Sequence, residues 1–169
     1  MINPVVGIIG GGQLGSMLAV AAKKINIKTV IFCDDINAPA KNFSDDFIFG
    51  SYDNDKKINE FINKVNIVTF EFENIPYETL KKINESKRVL PRPEVNKIVQ
   101  NRLTEKDFLN EINLNTTKYV SVKNDKDLKS NTDLLPGLLK TCTMGYDGKG
   151  QYKVESSEEL DNLKLDFKK

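Results

Sequence analysis

Two glycine-rich segments have the spacing that brings backbone close to a ligand. The first, residues 10–15, reads Gly-Gly-Gly-Gln-Leu-Gly and fits the pattern G-x-G-x-x-G between an apolar run and a helical pattern. Glycines there allow a tight turn and an anion at the helix N-terminus. Asp34 and Asp35, about 20 residues further on, could bind a ribose hydroxyl. The pattern therefore predicts a dinucleotide site or a purely structural turn, whereas the polar Gln13 suits a small substrate better.

The second segment lies between two predicted short strands, residues 138–141 and 151–154. Backbone N–H groups of a glycine loop can converge on anionic oxygens, and Lys140 and Lys149 add positive charge. We predict a strand, a phosphate-binding flap and a second strand; the alternative is an ordinary flexible hairpin. The flap is formed by Gly145, Tyr146, Asp147, Gly148, Lys149, Gly150 and Gln151.

An acidic pair follows an apolar run of residues 66–70. Alternation along a strand would place Glu71 and Glu73 on one side and Phe70 and Phe72 on the other. Ligands of open α/β sheets bind outside the carboxyl ends of the strands. We expect Glu71 and Glu73 to hold a cationic or amine-bearing substrate; the alternative is a polar loop in which Glu73 or Asn74 caps the next helix.

The composition excludes several classes of protein. The 169 residues carry a net charge of +1 and contain no histidine and two cysteines, which leaves no basic field for nucleic acid, no His-dependent nucleophile and no disulfide framework. No run approaches the ~18 apolar residues of a membrane helix, and the N-terminus lacks the pattern of a secretory signal. We therefore expect a cytoplasmic protein that acts on small molecules.

The elements that must position these residues alternate along the first part of the chain. Alternating strands and helices predict an α/β fold with a doubly wound parallel sheet. Strands are predicted over residues 5–10, 28–33, 47–49 and 66–70, and helices over residues 13–26, 55–65 and 76–86.

The pattern changes near Pro93, where we place a boundary between domains of residues 1–93 and 94–169. Residues 94–100 and 102–112 are predicted to form two helices or one bent helix. Beyond them we predict strands over residues 119–122, 138–141 and 151–154, and helices that begin near Asp125 and Ser157.

Four segments together resemble the N5-carboxyaminoimidazole ribonucleotide synthase family of the ATP-grasp superfamily. They are residues 9–15, 69–76, 100–106 and 139–151, and they include Thr-Phe-Glu-Phe-Glu-Asn and Gly-Tyr-Asp-Gly-Lys-Gly-Gln. The resemblance implies a Rossmann-like pre-ATP-grasp domain with helices on both faces of its sheet, followed by the first, incomplete part of an α+β ATP-grasp domain.

The resemblance also implies a reaction and the residues that serve it. ATP, bicarbonate and 5-aminoimidazole ribonucleotide would give the N5-carboxy product, ADP and phosphate, in purine biosynthesis. By position, Arg102, Lys140 and the flap of residues 145–151 would bind ATP. The ribonucleotide would be bound by Gly12, Gln13, Leu14, Glu71 and Glu73.

The chain departs from the family at several points. Members commonly have an arginine where Ser16 stands, and some have basic residues where Cys142 and Thr143 stand. Members are also longer, and the part without a counterpart here carries the adenine pocket and the acidic Mg²⁺ ligands. We therefore expect no metal ligands in this chain, no activity from it alone, and a homodimer for full-length members.

Two other readings remain open from the sequence. An NAD-dependent dehydrogenase domain would explain the first glycine turn but would leave the second loop without a role. A non-catalytic nucleotide-binding remnant would keep both loops without turnover.

Overall fold

The structure, a computed structural model, describes residues 4–145, 148–163, 165 and 167. The chain forms two compact units, Met1–Lys97 and Ile98–Lys169. No helix among the described residues is long and apolar enough to cross a membrane.

The first unit is built on a four-stranded parallel sheet, which confirms the predicted α/β class. The strands are β1 (Val5–Ile9), β2 (Lys28–Cys33), β3 (Asp46–Phe49) and β4 (Ile67–Phe70), in the order β3-β2-β1-β4. Ile9, at the end of β1, pairs with Phe32 on one side and with Phe70 on the other. The carboxyl ends of the three strands therefore meet at one edge, where the predicted site residues follow them.

Helices cover both faces of this sheet. They are α1 (Gln13–Lys24), α2 (Asp55–Lys64), α3 (Tyr77–Asn84) and α4 (Pro93–Val99), with a short 3-10 turn over Pro39–Asn42. Alternation along the strands divides the core. One face joins Ile9 and Phe32 to Phe61 of α2 and Leu80 of α3, and the other joins Ile8, Ile31 and Cys33 to Ala38 and Ala40.

Small residues of α1 are buried, and its large apolar residues are not. Gly15 and Ala19 are buried, and a Cβ atom on Gly15 would lie 2.9 Å from the carbonyl oxygen of Gly10. This close approach requires small side chains, so the apolar periodicity predicts the helix but not its buried face. The exposed residues of α1 and its C-cap include Leu14, Met17, Leu18 and Ile25.

The second unit contains helices and one hairpin. Its elements are α5 (Arg102–Glu111), α6 (Asp125–Lys129), a 3-10 turn (Thr132–Leu134), β5 (Gly137–Lys140), β6 (Gln151–Val154) and α7 (Ser157–Asn162). Strands β5 and β6 pair antiparallel, with Lys140 opposite Gln151. A small core of Leu128, Val154 and Leu160 joins α6, β6 and α7.

The structure corrects one prediction for the later part of the chain and decides between two alternatives for another segment. The strand predicted over residues 119–122 is wrong: this segment pairs with no strand among the described residues, Val120 is exposed, and the Tyr119 hydroxyl donates to Asp107 at 2.6 Å. For residues 94–112 the sequence left two helices or one bent helix open, and the structure has two helices, α4 and α5. Asn101 caps α5 by accepting hydrogen bonds from the N–H groups of Leu103 and Thr104.

Tight packing against β1 leads to a test of the core. A Cβ atom on Gly7 would lie 2.4 Å from Cζ of Phe61, which is fully buried. We expect Gly7→Ala to lower the free energy of unfolding by about 1–3 kcal/mol, because a packed core resists added volume. Since Phe61→Leu removes the obstructing ring, the double variant should lose less than the sum of the two single variants. Urea unfolding of the four proteins measures both effects, and a Gly7→Ala variant as stable as the parent would contradict this packing.

Candidate functional site

The glycine turn and the acidic strand end meet at the carboxyl edge of the sheet. The Glu71 N–H extends the pairing of β4 with β1 by donating to the Ile9 carbonyl at 3.1 Å. Its side chain reaches the turn, where the Gly12 N–H donates to Glu71 Oε1 at 2.9 Å. Gly10 has a φ of +100°, and a Cβ atom there would lie 2.7 Å from the same oxygen. The negative charge expected at the start of α1 is therefore supplied by the chain itself.

A cavity of about 240 Å³ opens beside this contact. It brings together Gly12, Glu71 and the two aspartates that follow β2, four of the residues singled out from the sequence. Its lining consists of Gly10, Gly11, Gly12, Cys33, Asp34, Asp35, Ala38, Pro39, Tyr52, Glu71 and Phe72.

Three predicted substrate residues do not line this cavity. Gln13 and Leu14 are exposed at the start of α1, and Glu73 is exposed in the turn that follows β4. Phe72 lines the cavity with Glu71 instead of lying on the opposite side. The reason is that β4 ends at Phe70, so strand alternation no longer applies to the residues after it.

Tyr52 and Cys33 are cavity residues that the sequence analysis missed. Tyr52 is 6% exposed, and its hydroxyl donates a weak hydrogen bond to Cys33 Sγ at 3.8 Å. Burial away from water raises the pKa of Tyr52, and the nearby Cys33 and Asp34 raise it further. The phenol therefore stays protonated at neutral pH. Both residues follow or end a strand at the carboxyl edge, which is a signal that the sequence contained.

A larger cavity of about 990 Å³ lies in the second unit and carries positive charge. Arg102, at the start of α5, and Lys140, the last residue of β5, both line it. The Arg102 N–H donates to the Cys142 carbonyl at 2.8 Å, which ties α5 to the hairpin. The other lining residues include Lys106, Lys118, Tyr119, Cys142, Lys153 and Glu155.

Lys106 and Lys153 are cations of this cavity that the sequence analysis did not select. Lys106 lies one helical turn after Arg102, a spacing that places both side chains on the same face of α5. Its ammonium donates to Thr117 Oγ1 at 2.8 Å and lies 4.9 Å from the centre of the Tyr119 ring. Lys153 is exposed and forms an ion pair with Glu155. Together with Lys118, these two lysines line the same cavity as Arg102 and Lys140.

The predicted phosphate flap is described in part. Tyr146 and Asp147 lie outside the described residues, and Gly145 and residues 148–151 do not line the larger cavity. Gly148 and Gly150 have φ values of +81° and +68°, in the left-handed region that favours glycine. The Thr141 N–H donates to the Gly150 carbonyl at 2.7 Å, so the flap joins Lys140 through Thr141.

The residues that depart from the family have local roles in the structure. The Ser16 hydroxyl donates to the Gly12 carbonyl at 3.0 Å, within the first turn of α1. Cys142 is exposed and offers its carbonyl to Arg102. Among the described residues, no group of three or more His, Cys, Asp or Glu side chains could hold a metal ion.

Comparison with known domains defines the class of protein. The family model described as the ribonucleotide synthetase preATP-grasp domain matches residues 4–100, and the ATP-grasp domain model matches residues 107–169. The chain therefore belongs to the ribonucleotide synthetase pre-ATP-grasp family, with the beginning of an ATP-grasp domain after it.

The relatives within this class are N5-carboxyaminoimidazole ribonucleotide synthases. The Brucella melitensis enzyme is 39% identical over 156 residues, which are 91% of this chain and 43% of that protein. The Staphylococcus aureus structure, complexed with ADP, is 34% identical with a TM-score of 0.88 and covers 94% of this chain and 43% of its own. The Aspergillus clavatus structure, complexed with ATP, is 27% identical with a TM-score of 0.83, and the match covers 95% of this chain and 43% of its own. The chain thus spans less than half the length of these relatives.

The contact between Glu71 and the glycine turn should contribute to the free energy of unfolding. Glu71→Gln keeps the shape and an acceptor oxygen but removes the charge next to the start of α1. We expect the free energy of unfolding to fall by about 1 kcal/mol, the difference between a charged and a neutral hydrogen bond. Glu85→Gln, an exposed carboxylate at the end of α3, is the matched control and should change it by less than about 0.5 kcal/mol. Equal urea unfolding curves for all three proteins would show that the Glu71 charge contributes nothing to the turn.

Proposed function

We propose that this chain is the substrate-binding front part of an N5-carboxyaminoimidazole ribonucleotide synthase. The full reaction consumes ATP, bicarbonate and 5-aminoimidazole ribonucleotide and releases the N5-carboxy product, ADP and phosphate. The first unit would bind the ribonucleotide and the second the phosphates of ATP, with a functional division between residues 1–93 and 94–169. The observation that carries the proposal is the Glu71 contact with the glycine turn, in a chain whose two family matches occur in the order of the relatives.

Polar groups around the smaller cavity support a ribonucleotide site there. The Gly12 N–H holds Glu71 Oε1, and Glu71 Oε2 makes no hydrogen bond to the described residues, so it can accept one from a substrate amine. The protonated Tyr52 lines the same cavity. Gln13, Leu14 and Glu73 are kept as substrate residues on the resemblance alone.

Positively charged side chains around the larger cavity support an ATP site there. Arg102 and Lys140 line one cavity with Lys106 and Lys153, and charge-assisted contacts of this kind suit phosphate oxygens. The Staphylococcus aureus and Aspergillus clavatus relatives were solved with ADP and ATP. We place the flap of residues 145–151 on the phosphates, at the end of the strand that carries Lys140.

Other participants follow from the family reaction. Bicarbonate would supply the carboxyl group. Mg²⁺ accompanies ATP in such enzymes, and the described residues offer no cluster of side chains that fits it. We propose a cytoplasmic location, because neither cysteine of the chain forms a disulfide and one of them is exposed.

Two titrations followed by ¹H–¹⁵N NMR test the proposal with the purified chain. 5-Aminoimidazole ribonucleotide should shift the amide signals of residues 10–15, and Glu71→Gln should weaken that binding. ATP should shift the signals of the second unit only. We expect no turnover from this chain alone, since positioning on all sides of the phosphates carries phosphoryl-transfer catalysis. A ribonucleotide titration without shifts at the glycine turn would contradict the proposed substrate site.

Two lysines should contribute unequally to ATP binding. Lys140 ends a strand, so its backbone is held in place, whereas Lys149 lies in a glycine-rich loop and loses more conformational freedom on binding. A charged contact to phosphate is worth about 1.5–3 kcal/mol, or about 10- to 150-fold in affinity. We expect the loss for Lys140→Ala near the top of this range and for Lys149→Ala near the bottom.

The same NMR titration with ATP measures these losses. Lys123→Ala, an exposed lysine that does not line the cavity, is the control and should bind ATP as the parent does. A larger loss for Lys149→Ala than for Lys140→Ala would assign the main phosphate contact to the loop instead of the strand.

We also propose a homodimer for the full-length protein, in line with the family expectation. The exposed apolar side chains of α1 support it, because Leu14, Met17 and Ile25 are 56%, 59% and 67% exposed and neighbouring exposed apolar residues mark interaction surfaces. Light scattering of the full-length protein measures its mass, and a monomer at micromolar concentration would contradict this proposal.

A further inference from the structure

The hydroxyl group of Thr141 has no role in the contacts proposed above. It directly follows Lys140, and its N–H donates to the Gly150 carbonyl. Its hydroxyl oxygen, in contrast, is buried and has no hydrogen-bond partner among the described residues. Buried polar groups are nearly always paired, because an unpaired one loses its hydrogen bonds to water without replacement.

The position of this hydroxyl is defined by two glycines of the flap. A Cβ atom on Gly150 would lie 2.4 Å from Thr141 Oγ1, and one on Gly145 would lie 3.0 Å from it. The oxygen therefore lies against the backbone of both ends of the loop. Among the described residues, backbone N–H and C=O groups at these two ends are within reach of a small movement.

We propose that Thr141 is a positioning residue for the phosphate flap. Its hydroxyl stays unpaired while the nucleotide is absent, and it gains a hydrogen bond to the loop backbone when phosphate oxygens draw the ends at Gly145 and Gly150 into their binding geometry. A hydrogen bond present in only one state favours that state by its own free energy. Thr141 thereby raises nucleotide affinity without contacting the nucleotide. This inference rests on the proposed binding of ATP phosphates by the second unit.

The proposal makes opposite predictions for stability and for binding. Thr141→Val has nearly the same shape but no hydroxyl, so it removes a buried unpaired group from the free protein and should leave the melting temperature equal or higher. The same change should weaken ATP binding by about tenfold, the equivalent of one hydrogen bond. Thr141→Ser keeps the hydroxyl and should bind ATP nearly as the parent does.

Two measurements on the parent and both variants test this role of Thr141. Melting curves are recorded without nucleotide, and ATP titrations are followed by ¹H–¹⁵N NMR. The proposal is overturned by a Thr141→Val variant that binds ATP as well as the parent. It is equally overturned by one that loses stability together with affinity, which would mean a structural role only. If the parent itself shows no ATP-dependent shifts, the proposed nucleotide site fails and this inference fails with it.

Discussion

The hydrogen bond from Gly12 to Glu71 connects the two segments on which the first unit's site depends. The start of a helix carries partial positive charge and unpaired N–H groups, which attract an anion. In dinucleotide-binding folds a pyrophosphate takes this place. Here a carboxylate from the neighbouring strand takes it, at 2.9 Å. A pyrophosphate would have to displace Glu71 to bind the same N–H, so the geometry argues against the dehydrogenase reading and leaves the turn free to orient a carboxylate toward a small substrate.

The parts of this fold that could be predicted are those in which local pattern and packing agree. Apolar runs such as residues 28–33 are buried on both faces of a parallel sheet, and β2 occupies just this range. The glycine turn and Glu71 both follow strands of this sheet, so the rule that ligands gather at the carboxyl edge predicts that Gly12 and Glu71 lie close together. Glu73 and Phe72 could not be placed in the same way, because β4 ends at Phe70 and the path of the chain beyond it depends on tertiary contacts.

Other features lay beyond a single sequence because they depend on what an element packs against. The periodicity of α1 is amphipathic, yet its small residues face the sheet, since Gly15 approaches the backbone of Gly10 too closely for a larger side chain. The segment 119–122 has β-branched and aromatic residues, which favour strands. No strand lies beside it among the described residues, so it has no partner with which to form backbone hydrogen bonds of a sheet.

The two glycine loops use the same residue type for a common reason. Beside Gly10, the space that a side chain would fill is taken by an oxygen of Glu71, and beside Gly150 it is taken by the oxygen of Thr141. The first oxygen is paired with the Gly12 N–H, and the second has no partner among the described residues. A paired oxygen holds its loop in one geometry, which suits a site that must be formed before a small substrate arrives. An unpaired oxygen can gain a hydrogen bond in a second geometry of its loop, and a ligand that binds that geometry more tightly shifts the loop toward it. The glycines of the first loop thus fit a preformed site, and those of the second fit a site completed by its ligand.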